Sequence, residues 1–276
     1  KTNPMGLLQG KVAGLNISRT TSDPTSTGYN IQIRGFSTLG KGTGSTPLYV
    51  VDGIPTDNID NIPSEDIASM DVLKDGSAAA IYGTRGTNGV ILITTKRGAN
   101  ENAGAVKTSV EYNGYFSVSA PRLNTGFATP EEYRQLEQLS GGLVKPVLYD
   151  DSTNTDWMAL ATKKAAVTTN HNVAISGASS DFSYRASVNY KYAEGLAKNT
   201  DRDEISARIA ADQRALQGWL KLSYDFSYMH YKNNYDCGDF KQAATLNPTY
   251  PLMDQSTVAG YFYPTGSGQS NPIMAT

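Results

Sequence analysis

Between residues 106 and 118 the chain alternates between two kinds of side chain without a slip. Val106, Thr108, Val110, Tyr112, Gly114, Phe116 and Val118 occupy one set of positions, and Lys107, Ser109, Glu111, Asn113, Tyr115 and Ser117 the other. A period of two is a β-strand whose faces meet different surroundings. Phe182–Tyr192 repeats the pattern, with Phe182, Tyr184, Ala186, Val188, Tyr190 and Tyr192 against Ser183, Arg185, Ser187, Asn189 and Lys191. Leu220–His230 repeats it again, and His171–Gly177 and Ile205–Ala211 carry shorter versions. Two folds compete for such strands. In a soluble sandwich the apolar face is the core and strands average about 5–6 residues. In a membrane barrel the apolar face meets lipid and strands need about 9–11 residues, tilted by about 45°. The length of the three long runs favours the barrel. So do the aromatic ends and small aliphatic centre of Phe182–Tyr192, which suit an aromatic girdle around a hydrocarbon slab. Of the 17 Tyr, only Tyr29, Tyr49 and Tyr82 precede the long strands. The connections Ser179–Asp181 and Arg214–Gln217 are short and Glu194–Asp203 is long, as in an up-and-down barrel.

Residues 1 to about 104 have another grammar. Short strands are expected at Val12–Arg19, Tyr29–Arg34, Leu48–Val51, Met70–Leu73 and Gly89–Lys96, punctuated by Gly, Pro, Ser and Asp clusters. A helix is expected from Ser64, where Glu65 and Asp66 would favour its N-terminus. A second is expected over Ser77–Tyr82, with Asp75 as cap and Gly83 as the left-handed stop. Val90-Ile91-Leu92-Ile93 is apolar on both faces and is expected to be buried on both. The division is therefore a mixed α/β domain over 1–104, then antiparallel strands over 105–276 with a long, partly helical connection at 120–169. In that connection Thr129-Pro130-Glu131-Glu132 is a capping box with Pro at the first helical position, opening a helix to about Leu139.

Several chemistries are excluded or disfavoured. A net charge of −2 leaves no footprint for a polyanion, so no nucleic-acid partner is expected. The longest aliphatic run, Val90–Ile93, is far too short for a transmembrane helix. Cys237 is alone, and His171 and His230 are far apart, so neither a disulfide nor a short-spaced metal set exists. Gly83-Thr84-Arg85-Gly86-Thr87-Asn88-Gly89 resembles a phosphate loop only superficially: the order here is helix, glycines, strand, whereas a dinucleotide site needs strand, glycines, helix. Gly40-Lys41-Gly42-Thr43-Gly44-Ser45 misses the P-loop spacing and reads as a loop. Asp52 in Val51-Asp52-Gly53-Ile54 reads as turn chemistry, with no partner nearby for acid–base work. No catalytic residue, cofactor or metal is expected, and the chain is not read as an enzyme. Trp157 and Trp219 are candidate sugar-stacking platforms, with an interfacial anchor the preferred role for Trp219.

Three stretches carry a family resemblance: Leu48-Tyr49-Val50-Val51-Asp52-Gly53-Ile54-Pro55, Pro63–Asp75 and Gly76–Gly98. Together they resemble the plug domain of TonB-dependent outer-membrane transporters, and more narrowly the SusC/RagA-type subfamily of the Bacteroidota. Leu8–Leu15 and Ile31-Gln32-Ile33-Arg34-Gly35 fit the upstream plug motifs. Asn154-Thr155-Asp156-Trp157, Asn170–Gly177 and Glu194-Gly195 resemble the start of that subfamily's barrel. Gly76 departs from the pattern, where a helix former is more usual.

The resemblance implies a barrel of about 22 strands with the plug filling its lumen. Only five clear strands are present, which cannot close such a barrel, and the chain opens at Lys1 without a basic, apolar leader. It is therefore expected to be an internal piece of a longer protein. The resemblance also implies TonB-dependent import of an oligosaccharide or peptide across the outer membrane. A SusD-like surface lipoprotein would be the partner, and the TonB–ExbB–ExbD complex would supply energy through a segment absent here. The alternative is a non-transporting surface binding or adhesion protein built on β-domains. Arg34, Gly35, Asp52, Gly53, Lys74, Tyr82, Gly83, Arg85, Gly86, Asn88 and Gly89 are the plug-signature positions, with a structural role in seating the plug. Of these, Arg34, Lys74 and Arg85 are expected to form ion pairs with the barrel wall.

Overall fold

The computed structural model describes residues 4–21, 23–33, 46–74, 80–98, 107–122, 129–140, 153–235, 240–255, 260–262 and 271. They form two compact units. One comprises Lys1–Phe116, Thr169–Tyr192 and Asp203–Lys232; the other comprises Ser117–Thr168, Ala193–Arg202 and Asn233–Thr276.

In the first unit, helix α1 (Met5–Leu8) precedes a hairpin of β1 (Leu15–Arg19) and β2 (Tyr29–Ile33). A four-stranded sheet follows, with β3 (Leu48–Val51), β4 (Ile54–Thr56), β5 (Ile67–Leu73) and β6 (Val90–Thr95) in the order β4-β3-β6-β5. β6 runs parallel to β3 and antiparallel to β5. The expected two-sided burial of β6 is found. Ile91 and Ile93 pack with Ile17, Ile31 and Ile33 on one face, and Val90 packs with Leu48 and Val50 on the other. Asp52 and Gly53 join β3 to β4 with φ of 49° and 89°. Two consecutive positive φ values match the right-handed twist of a two-residue hairpin, and Asp-Gly is one of the pairs that adopt them readily.

The expected helix at Ser64 is a correction. Ser64–Asp66 makes one 3-10 turn, and the chain then enters β5 directly. Pairing with β6 gives one edge of the segment from Ile67 to Leu73 its backbone partners, in place of those a continued helix would supply. Of the second expected helix, residues 75–79 lie outside the described residues, and 80–82 are helical. Gly83 then has a φ of 63°. Gly89, with a φ of 88°, could not carry a side chain: a Cβ would sit 2.6 Å from Ile33 Cδ1 and 3.1 Å from the Leu73 carbonyl.

Five long strands follow: β7 (Lys107–Ser119), β8 (Ala166–Ala178), β9 (Phe182–Glu194), β10 (Thr200–Ala215) and β11 (Leu220–Tyr235). They form one sheet in strict chain order. The turns at Ser179–Asp181 and Leu216–Gly218 are tight. The connection expected to be long at Glu194–Asp203 spans only residues 195–199, because both strands extend beyond their alternating cores.

The faces of these strands decide between sandwich and barrel. Val110, Tyr112, Phe116, Val188, Ile209, Tyr224 and Phe226 are exposed, while Asn172, Arg185, Ser187, Asn189, Lys191, Ser206 and Arg208 are buried. A soluble sandwich has the opposite polarity. Apolar side chains outside and polar ones inside are the arrangement of a barrel wall in lipid. No helix among the described residues is long and apolar enough to cross a membrane, which says nothing of strands.

In the second unit, helix α2 (Pro130–Ser140) opens with the expected capping box: Thr129 N donates to Glu132 Oε2 at 2.8 Å and Glu132 N to Thr129 Oγ1 at 3.2 Å. Helix α3 (Trp157–Ala161), capped by Asp156, packs against helix α4 (Phe240–Thr245) through Trp157, Ala161, Ala243 and Leu246.

Candidate functional site: a charged seam

The N-terminal sheet meets the long strands through two clusters of buried or half-buried charge. The first is built on Asp52. The hairpin turn that gives this residue its positive φ also aims its carboxylate at the end of β6. There Thr95 donates twice, from its backbone N at 3.0 Å and its hydroxyl at 2.5 Å. Arg208 of β10 donates to Asp52 Oδ2 at 3.0 Å while also holding Asp225 of β11 with two nitrogens. Arg97, just past β6, reaches Asp52 at 3.5 Å and Asp212 at 2.8 Å. Ser223 donates to Asp212 as well. Burial pushes the Asp52 carboxyl up, but the two Thr95 bonds with Arg208 and Arg97 outweigh that and hold it below the ordinary carboxylate range.

The second cluster is built on Asp66, at the end of the 3-10 turn. Its side chain is 2% exposed and that of Arg185 is 6% exposed. Asp66 Oδ1 accepts from Arg185 Nε at 3.3 Å and Nη2 at 3.1 Å, and Oδ2 accepts from Ser187 Oγ at 2.5 Å. Arg185 Nη1 donates to Glu111 at 3.1 Å, and Lys96 reaches the same carboxylate at 3.3 Å. Beside them, Asn170 of β8 donates to Glu65 at 3.1 Å, and Asn61 donates to Ser227 of β11 at 3.3 Å. Lys96 and Arg97 are neighbours in sequence, yet one pairs with β7 and the other with β10. Gly98 continues this close approach: a Cβ there would fall 2.7 Å from the Tyr184 carbonyl oxygen and 2.9 Å from its amide nitrogen.

The sequence comparisons fit this geometry. The family model described as TonB-dependent Receptor Plug Domain matches residues 1–90. TonB-dependent receptor SusC of Bacteroides thetaiotaomicron is 34% identical over 289 residues, covering 98% of this chain and 28% of that protein. TonB-dependent receptor P26 of Formosa agariphila is 35% identical over 276 residues, covering 96% of this chain and 27% of that protein. The chain belongs to the TonB-dependent receptor family. It spans little more than a quarter of the length of these curated relatives. A structure of the RagAB peptide importer in its open-open state matches with a TM-score of 0.78 and 26% identity, over 100% of this chain and 35% of that one. Its closed-closed state gives 0.76 and 25%, over 98% and 34%. The N-terminal sheet is thus a plug, and β7–β11 are wall strands of an outer-membrane β-barrel, not closed within this chain.

The plug-signature positions fall in several places. Arg34 and Gly35 lie outside the described residues, as does Cys237. Among the described residues Arg85 has its ion pair within the plug and not with the wall. It pairs with Asp57 at 2.9 Å inside the plug, with both side chains largely exposed, a setting worth about 0–1 kcal/mol. Lys74 donates to the Ala13 carbonyl, also inside the plug. Tyr82 packs beside Leu48, Val50 and Val90. Gly83 and Gly86 bound a 3-10 turn that leads through Asn88 to Gly89 and β6. Of the signature positions among the described residues, Asp52 joins the charged seam. Among the described residues, Asn61, Glu65, Asp66, Lys96 and Arg97 of the plug also cross to the wall; sequence reasoning named Glu65 and Asp66 only as helix-start residues and gave none of the five a seam role. Trp157 cannot stack on a sugar: it is 3% exposed, and its indole N–H donates to the Asn247 carbonyl at 3.0 Å. Trp219 is 91% exposed at the start of β11.

Proposed function

We propose that this chain is the plug and first wall strands of an importer. The whole protein would carry an oligosaccharide or a peptide across the outer membrane, with a SusD-like lipoprotein over the barrel and TonB–ExbB–ExbD supplying energy. The plug extends over residues 1–104 and the barrel starts at 105 in this reading. Plug-signature residues act by shaping and seating the plug, and none performs chemistry on substrate. The observation that carries the reading is the charged seam: carboxylates of a plug-type sheet are held by arginines on the inward face of strands whose outward face is apolar. A binding or adhesion protein built on soluble β-domains would bury the apolar face instead. The relatives support the reading, one being named SusC and a matched structure being titled a peptide importer.

The test locks the plug. Asn61 and Ser227 meet across the seam on exposed side chains. In the full-length receptor, Asn61→Cys with Ser227→Cys should form a disulfide that stops uptake and spares surface binding of substrate. Reduction should restore uptake. Transport at the normal rate through the oxidised protein would overturn the proposal.

A further inference from the structure

Next to the Asp66 cluster lies a small cavity. Pro63, Ser64 and Glu65 wall it on the plug side, and Tyr115, Asn170 and Asn189 on the barrel side. Its volume is about 20 Å³. Three of its lining residues carry buried polar atoms with no hydrogen-bond partner among the described residues: Ser64 Oγ, Tyr115 OH and Asn189 Oδ1. Asn189 as a whole is 4% exposed. Buried polar atoms are almost always paired, so three orphans around one void have a common cause. A water needs about 10–15 Å³ of such space and typically makes about three hydrogen bonds. The chemistry matches as well. The Asn189 oxygen only accepts, and each hydroxyl can donate or accept, so one water can donate to Asn189 and one hydroxyl while accepting from the other.

We infer that this cavity holds a structural water that ties the plug turn at Ser64 to strands β7 and β9. The inference rests on the plug-and-wall reading and gives the seam a bridge that no direct contact supplies. Asp66 fixes the turn ionically, and the water completes the polar contacts beside it. Because a bound water can leave or exchange, this part of the seam opens without stranding Ser64, Tyr115 and Asn189: bulk water takes over the same three bonds.

The experiment uses the full-length receptor. A structure at a resolution that shows ordered solvent should contain one peak within hydrogen-bond distance of all three atoms. Tyr115→Phe and Ser64→Ala remove one oxygen each and leave the surrounding packing in place. If the water is present, each variant should speed amide hydrogen exchange in β5 about five- to tenfold, as expected for one lost hydrogen bond. The double variant should cost less than the sum, since both lose the same water. If the cavity is dry, removing an orphaned hydroxyl relieves a penalty, and exchange should stay constant or slow down. That result, or an empty cavity in the solved receptor, overturns the inference while leaving Asp66–Arg185 and the plug reading intact. A plug found away from β7 and β9 would overturn the reading itself.

Discussion

Removing the Asp66 carboxylate separates a clamped plug from one that merely rests against the wall. Asp66→Ala leaves Arg185 with Glu111 alone, whose side chain is 40% exposed, and strips Ser187 of its acceptor. Breaking a buried pair from one side costs about 3–5 kcal/mol when the surviving charge is left unpaired; Arg185 keeps Glu111, which puts the loss near the lower bound, about 3 kcal/mol. At about 1.4 kcal/mol per factor of ten, the population with an open plug should rise by roughly 10². Limited proteolysis of the full-length receptor in detergent reads this directly when opening is fast relative to cleavage. Cleavage in the plug should accelerate by that factor. Arg85→Ala removes only the exposed pair with Asp57 and should change the rate little. Asp66→Ala combined with Arg185→Met takes out both charges and should recover much of the loss, since an apolar pair of similar volume is tolerated where a lone charge is not. Equal rates for Asp66→Ala and Arg85→Ala would refute the argument that the buried pair holds the plug.

Two further outcomes follow from the faces and the charges. Val188 is 51% exposed on the outward side of β9, so Val188→Arg should cost about 2–4 kcal/mol near the bilayer midplane and reduce folded receptor in outer membranes, whereas Val188→Leu should not. For Asp52 the folded carboxyl lies below its ordinary value of about 3.9, so its stabilising contribution is fully present above that pH. It is lost as pH falls through the depressed folded value. Plug protection measured by proteolysis should therefore be flat from neutral pH to about 5 and fall below about 4, and Asp52→Asn should flatten that fall while keeping the hairpin turn.

The long strands were legible because their two faces differ in chemistry, and chemistry at period two is a local signal. Val90–Ile93 was legible for the same reason, as a run with no polar face at all. The turn at Ser64 was misread because Glu65 and Asp66 are the residues that a helix N-terminus attracts. Asp66 instead serves Arg185, 119 positions away, and no local pattern carries that distance. Arg85 and Lys74 were given the wall-pairing role because they stand in the signature, yet their contacts close within the plug. A usable signal did exist. Arg185 and Arg208 sit on the polar side of strands that would face a lumen, where a buried cation needs an anion from another layer. Asp52 and Asp66, each at the end of a short plug strand or turn, are the type of partner such cations require.

The choice of charge for the seam has a physical consequence for the proposed import cycle. An apolar seam would resist opening in proportion to its area, at about 25 cal/mol per Å², with no return when it opens into water. A charged seam behaves differently. Asp52, Asp66, Arg185 and Arg208 lose hydration on closing, so their mutual attraction is largely offset, and they regain that hydration when the plug moves into a wet lumen. Removing one partner is then severe, while separating both together is mild. Arginine suits this better than lysine because one guanidinium can serve several acceptors at once: Arg208 holds Asp52 and Asp225, Arg185 holds Asp66 and Glu111, and Arg97 holds Asp52 and Asp212. When the plug withdraws Asp52, Arg208 keeps Asp225 on the neighbouring wall strand. When it withdraws Asp66, Arg185 keeps Glu111. Each wall arginine thus retains a wall carboxylate, which lets the plug leave without abandoning a bare charge in the barrel.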